Sequence, residues 1–184
     1  MTPEDRQRFP PTTVALKDGW KGVIRPLRAT DADALVDFYA SIPREDFRFY
    51  APHPLDRANA ERNAKNADSP FEVVVVLETP KGKIGGYAWY RWKKETDTES
   101  VFGICLRRRH QGLGAGRALM TRLAGIARDL GPPVMTLTVQ LANSRAVSLY
   151  RQMGFEVVKQ DMRAPGASCG FPPEPQYHME LRVR

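Results

Sequence analysis

The amino-acid sequence predicts a mixed α/β (α+β) domain built around one mixed sheet. Three observations carry that expectation. Strand-like and helix-like segments alternate along most of the chain. Two pairs of apolar runs are separated by turn signals, Asp18-Gly19 and "TPKGK", and read as antiparallel hairpins. A glycine-dense turn, "RRHQGLGAG" at 108–116, stands between a strand and a helix. The 184 residues fit one domain with a sizeable core. Residues 1–20 read as an N-terminal extension with a hairpin strand, and 21–184 as the core.

The first strand of the core covers roughly Val23 to Leu27. Thr30 is the expected cap of the next helix, with Asp33 three residues on as its capping-box partner. Leu35, Phe38, Tyr39 and Ile42 give that helix a buried face, and Pro43 ends it. Residues 55–67, "LDRANAERNAKNA", have helix propensity but are polar, so a surface helix is expected. "FEVVVVLE" (71–78) is continuous and β-branched, as a strand buried on both faces would be. "IGGYAWYRW" (84–92) is its hairpin partner, and "SVFGICL" (100–106) is a third strand that runs into the glycine turn. After the turn, Leu119, Leu123, Ile126, Ala127 and Leu130 share one helical face. Gly131 and Pro132-Pro133 stop that helix. "VMTLTV" (134–139) alternates as a strand, Asn143 starts a helix through Met153, and "FEVVK" and "YHMELRV" are two more strands. A long Pro/Gly loop, 164–176, separates the last two.

Composition narrows the function classes. Hydrophobic residues make up 42% and charged residues 27%, as in a globular, soluble chain. The longest apolar run, Val73 to Leu77, is too short to span a bilayer. "MTPEDRQRFPP" has no apolar stretch, so no signal peptide is expected and the location reads as cytoplasmic, with no membrane partner. Cys105 and Cys169 are the only cysteines, which makes neither a disulfide framework nor a metal site; Cys105 lies in an apolar run and reads as a core thiol. The net charge of +7 favours polyanionic partners. Nucleic acid is not the expected one, because beyond Arg107–Arg109 the cations are scattered rather than clustered with aromatics.

The glycine turn has a physical use. Backbone N–H groups at a helix N-terminus lack intrahelical partners and carry the positive end of the helix dipole. Gly112, Gly114 and Gly116 would let an anion approach them, and Arg107, Arg108, Arg109 and Arg117 would attract it from a distance. A P-loop would need Gly-Lys-Ser/Thr, and "GAGRA" lacks it. A dinucleotide fold needs G-x-G-x-x-G and an acid at the end of the next strand; the step here is G-x-G-x-G and that strand ends "LTVQ". A tight turn without a ligand is the plain structural alternative.

Gln111-Gly112-Leu113-Gly114-Ala115-Gly116 resembles the Q-x-x-G-x-G acetyl-CoA signature of the GCN5-related N-acetyltransferases, the GNAT superfamily. "NSRAVSLYRQMGF" resembles the family's second signature, N-x-x-A-x-x-L-Y-x-x-x-G-F, through Asn143, Ala146, Leu149, Tyr150, Gly154 and Phe155. The resemblance runs from about residue 23 to 183. It implies a mostly antiparallel sheet of about seven strands, splayed at the acetyl-CoA site, with about four helices around it. It also implies acetyl-CoA as co-substrate and direct transfer of acetyl to an amine in a ternary complex. The implied co-substrate contacts are Ile104, Cys105 and Leu106 along the pantetheine arm, Gln111, Gly112, Leu113, Gly114, Ala115, Gly116 and Arg117 at the pyrophosphate, and Asn143, Ala146 and Tyr150 beyond. Asn143 can cap its helix as well. The implied catalytic groups are the Leu106 N–H towards the thioester carbonyl and Tyr150 as the acid beside sulfur.

The base is less defined. Members acting on protein lysines often carry Glu where this chain has Val101. Glu99 shares a face with that position and is the candidate, with Asp97, Glu95, Tyr90 or relayed water as alternatives. His110, beside the glycine turn, reads as a co-substrate neighbour; His53 and His178 have no assignment. The N-terminal half, "LKDGWKGVIRPLRATDADAL" followed by "DFRFYAP", is similar to the acetyltransferase domain of bacterial protein-lysine acetyltransferases. The acceptor is therefore a small amine or a protein lysine, and a homodimer is compatible with the resemblance. Phe171 and Tyr177 are candidates for the acceptor wall. The absent Glu motivates one alternative, a GNAT-fold sensor that binds acetyl-CoA without turnover.

Overall fold

The computed structural model describes residues 1–50, 52–164 and 170–184. Its elements are α1 (Pro3–Arg8), β1 (Thr12–Ala15), β2 (Lys21–Pro26), α2 (Ala32–Ala40), α3 (Arg57–Lys65), β3 (Glu72–Glu78), β4 (Ile84–Arg91), β5 (Glu99–Leu106), α4 (Ala115–Ala127), β6 (Val134–Gln140), α5 (Ser144–Gln152), β7 (Glu156–Met162) and β8 (Pro175–Arg182). The strands form one eight-stranded sheet in the order β1-β2-β3-β4-β5-β6-β8-β7. Every neighbouring pair is antiparallel except β5 and β6. The described residues thus hold one strand and one helix more than expected.

The sheet has a core on each face, and the alternation of β3 serves both. Val73, Val75 and Leu77 pack with Leu119, Leu123 and Ile126 of α4. Val74 and Val76 pack with Leu35, Phe38 and Tyr39 of α2 and with Ala60 and Ala64 of α3. This is why the "VVVV" run is continuous rather than alternating. Cys105 is buried on the α2/α3 face, as the sequence implied.

Three local expectations are corrected. Thr30 does not cap α2, which begins at Ala32 after a 3₁₀ turn over Ala29–Asp31. The cause is Asp31. Its carboxylate takes both ends of the Arg25 guanidinium, at 2.7 and 2.9 Å, and accepts from the Arg28 N–H at 2.8 Å. The segment at 55–67 is not simply a surface helix. Asn59, Ala60, Asn63 and Ala64 of α3 are buried, because alanines let it close on α2 and the Asn63 amide donates to the Tyr39 hydroxyl at 2.8 Å. The loop expected over 164–176 is shorter, since β8 already begins at Pro175; residues 165–169 of that expectation, with Cys169, lie outside the described residues. Among the described residues no helix is long and apolar enough to cross a membrane, and no group of three or more His, Cys, Asp and Glu could hold a metal.

Candidate active site

The site is built where β5 and β6 part. Their parallel pairing covers only Glu99–Val134, Ser100–Met135 and Val101–Thr136. β5 goes on pairing with β4 as far as Gly86–Leu106, while β6 pairs with β8 along its whole length. The strands beyond Val101 and Thr136 therefore enclose a slot through the sheet. The Arg107 N–H donates to the Gly85 carbonyl at 3.0 Å. Alternation from that point turns the main-chain groups of Phe102, Ile104 and Leu106 away from β4 and towards the slot. The Leu106 carbonyl accepts from the Gln111 side chain at 3.2 Å, so Gln111 ties the end of β5 to the glycine turn.

Two clefts open on the slot. One, of about 700 Å³, is lined by Ile104, Cys105 and Leu106 of β5, by Gln111, Gly112, Gly114, Gly116 and Arg117 of the turn and α4, and by Asn143, Ala146 and Tyr150 at α5. The other, of about 680 Å³, lies against the open sheet face beside α2 and α3. Its wall includes Phe47 to Tyr50, Glu99, Val101, Thr136, Gln140, His178 and Glu180. The clefts share Phe49, Tyr50, Ile104, Thr138 and Tyr150.

The first cleft fits a phosphorylated co-substrate. Gly114 is the N-cap of α4, with φ +94° and no side-chain cap, so the first N–H groups of a 13-residue helix have no capping side chain. Gly112 has φ +77°. A Cβ at Gly112 or Gly114 would meet no protein atom within 4 Å, so the space beside the turn is open. Gly116 serves packing instead: a Cβ there would stand 3.2 Å from Leu149 Cδ2 and 3.3 Å from Leu106 Cδ1. Leu113 and Ala115, also expected at the pyrophosphate, turn their side chains into the core. The Leu113 carbonyl accepts from the Lys17 N–H at 3.1 Å, which anchors the turn on the N-terminal hairpin.

Tyr150 stands between the clefts. Its ring packs edge-on against Phe102, with centroids 6.1 Å apart, and tilted against Phe155 at 5.8 Å. It is 8% exposed, and burial raises the pKa of its hydroxyl, which keeps it protonated at neutral pH. Asn143 is the N-cap of α5 and accepts from the Ala146 N–H at 3.3 Å. Arg117 bonds Gln152 and so links α4 to α5.

The remaining expectations divide. Arg107 is bound to Asp37 at 2.6 Å, and Arg108 to Asp46 at 2.6 Å and Glu45 at 3.1 Å. These two cations brace the turn against α2 and the 44–48 segment rather than standing free for an anion. His110, expected as a co-substrate neighbour, lines neither cleft. It is buried against Trp20, with ring centroids 4.8 Å apart, and burial lowers its pKa. The Tyr90 hydroxyl is spent on the Leu130 carbonyl at 2.8 Å, and the Asp97 carboxylate on the N–H groups of Lys93 and Lys94. Tyr177 faces Arg151 rather than the acceptor cleft. Glu99 lines that cleft but sits five residues before Ile104, roughly 16 Å along an extended strand. Phe49, Tyr50 and Thr138 were missed. Their only signal in the sequence was the "RFY" after the first helix; the meeting of the clefts is tertiary.

Residues 36–155 match the family model described as the acetyltransferase (GNAT) family. The chain belongs to the GNAT family. It is 30% identical over 131 residues to the mycothiol acetyltransferase of Thermobifida fusca (strain YX), covering 65% of this chain and 41% of that protein. It is 33% identical over 92 residues to an L-amino acid N-acyltransferase of Escherichia coli (strain K12), covering 47% and 52%. The chain thus spans about half the length, or less, of these curated relatives. Among solved structures, the GNAT domain of S. lividans PAT shares the fold with a TM-score of 0.74 at 22% identity, covering 94% of this chain and 96% of that one. The yncA protein of Salmonella typhimurium, solved with its cofactor acetyl-CoA, does so with a TM-score of 0.71 at 22% identity, covering 89% and 94%. The GNAT fold explains the parted strands: a mixed sheet with a single parallel pair can open there without disturbing either hairpin stack.

Proposed function

We propose that this GNAT chain transfers the acetyl group of acetyl-CoA to a primary amine, with both substrates bound at once across the β5–β6 slot. The carrying observation is that the two clefts, one beside an uncapped helix N-terminus, meet at Ile104, Thr138 and Tyr150. Acetyl-CoA supplies the acyl group as a thioester. The N–H groups of residues 112–116 seat its pyrophosphate, and the free edge of Ile104–Leu106 holds the pantetheine arm like an added strand. Ala146 and Asn143 shape the far wall. The Leu106 N–H is aimed at the carbonyl oxygen on which charge builds, a donor worth roughly 3 kcal/mol in a dry, preorganised site.

Tyr150, kept protonated by burial, donates to the departing sulfur. Overall, an ammonium and acetyl-CoA become an N-acetyl amine, a free thiol and one proton. Glu99, roughly 16 Å along β5 from Ile104, lies too far from the slot for direct contact with the reacting nitrogen. The acceptor is a small amine or a protein lysine. The name of the L-amino acid N-acyltransferase relative puts small amines first. The test is thiol release from acetyl-CoA against a panel of amino acids, polyamines, aminoglycosides and lysine-bearing peptides. Amine-dependent release is expected. Binding of acetyl-CoA with no release from any amine would instead establish a sensor.

A further inference from the structure

One pair of side chains on the acceptor wall is arranged as an acid–base unit. His178 of β8 stands directly across from Thr138 of β6, and Thr138 is one of the five residues shared by the two clefts. Cross-strand partners share a face, with Cβ atoms about 5 Å apart, so the imidazole lies on the cleft wall one strand from the slot. On its other side β7 brings Asp161, with both carboxylate oxygens 2.9 Å from His178 Nε2. A register shift in β7 between Val157 and Lys159 sets Lys159 opposite His178 and Asp161 opposite Gln176. Lys159 Nζ, at 2.8 Å, and Gln176 Nε2, at 3.1 Å, hold the same carboxylate. Lys159 first, then His178 and Gln176, keep Asp161 well below the usual carboxylate range, so it stays ionised. An ionised carboxylate at Nε2 fixes the proton there and leaves the Nδ1 lone pair free; Nδ1 has no partner among the described residues.

We propose that His178 is the general base of the acetyl transfer, with Asp161 as its positioning residue. His178 takes the proton of the acceptor ammonium at Nδ1, directly or through one water. This rests on the amine-acetylation reading above. The acceptor nitrogen sheds two protons. The first goes to His178 and on to solvent, which frees the lone pair. The C–N bond then forms and the C–S bond breaks, the sulfur takes the Tyr150 proton, and the nitrogen's second proton restores the phenol. The other charged groups on this wall are Arg48 and Arg163, both bound to Glu174, with Lys159, Glu99 and Glu180. Lys159 stands opposite His178 in the register, and its ammonium is bound to Asp161.

The experiment compares the pH profiles of kcat/KM for the 184-residue chain, His178→Gln and Asp161→Asn, using whichever amine the parent turns over. Melting curves and acetyl-CoA affinity are measured alongside. At about pH 7, His178→Gln should lose roughly 100-fold in kcat/KM with acetyl-CoA affinity unchanged, and Asp161→Asn about tenfold. Both deficits should shrink towards about pH 10, where the free amine needs no base. Two results would overturn the assignment: His178→Gln within about threefold of the parent at neutral pH, or a deficit that is the same at both pH values. A parent that binds acetyl-CoA but turns over no amine defeats the proposed function first, and this assignment with it.

Discussion

Gly114→Glu separates seating an anion from merely shaping a turn. Gly114 caps α4 at φ +94°, and a side chain there costs about 1–2 kcal/mol of backbone strain. No protein atom lies within 4 Å of its added Cβ, so no clash adds to that. At roughly 2–4 °C per kcal/mol for a domain of this size, the melting temperature should fall by about 2–8 °C. Binding should suffer far more. A carboxylate about 5 Å from one phosphate charge, at an effective dielectric near 20, costs about 3 kcal/mol, or about a hundredfold in affinity. Gly114→Ala carries the same strain without the charge and should lose about tenfold, through the Cβ alone. Calorimetric titration of acetyl-CoA at fixed ionic strength, alongside thermal melts, reads both effects. Gly114→Glu binding acetyl-CoA within twofold of the parent would refute the seat.

Tyr150→Phe keeps the ring contacts with Phe102 and Phe155 and removes only the proton; kcat should fall about 100-fold with acetyl-CoA affinity intact, and unchanged turnover would return Tyr150 to a packing role. Arg25→Met strands the Asp31 carboxylate, 7% exposed, in the α2 junction. Losing one partner of such a pair costs roughly 3–5 kcal/mol, so the melt should drop by about 10 °C, and a shift under about 2 °C would contradict the reading. Burial pushes the Cys105 thiol up to about 12. In a Cys169→Ser background at about pH 8, iodoacetamide should therefore modify the native protein roughly a thousandfold more slowly than an ordinary thiol. Reactivity should climb as pH rises towards 12, and denaturant should restore the ordinary rate; rapid labelling of the native protein at pH 8 would contradict the buried placement.

Features set by local backbone rules were legible in the sequence. The glycine turn needs positive φ at Gly112 and Gly114, and Asn143 caps α5 whatever surrounds it. α1 was not expected, although "TPED" carried its signal: a capping Thr2, Pro3 at the first turn and two acids. What depended on distant partners was not legible. Thr30 lost its capping role to Asp31, whose carboxylate is claimed by Arg25 across the β2 junction. Polar α3 is half-buried because Asn63 finds Tyr39. His110 read as a neighbour of the co-substrate, yet Trp20 from the N-terminal hairpin packs against it. His178 gained its setting only when the shifted register of β7 carried Asp161 alongside.

The central claim is that both substrates occupy one slot together, and initial-rate kinetics test it most directly. Thiol release is measured while acetyl-CoA and the best amine of the panel are varied against each other. The account predicts intersecting double-reciprocal lines, because both substrates bind before either product leaves. Parallel lines would contradict it, since they would mean that the acetyl group rests covalently on the protein between two half-reactions.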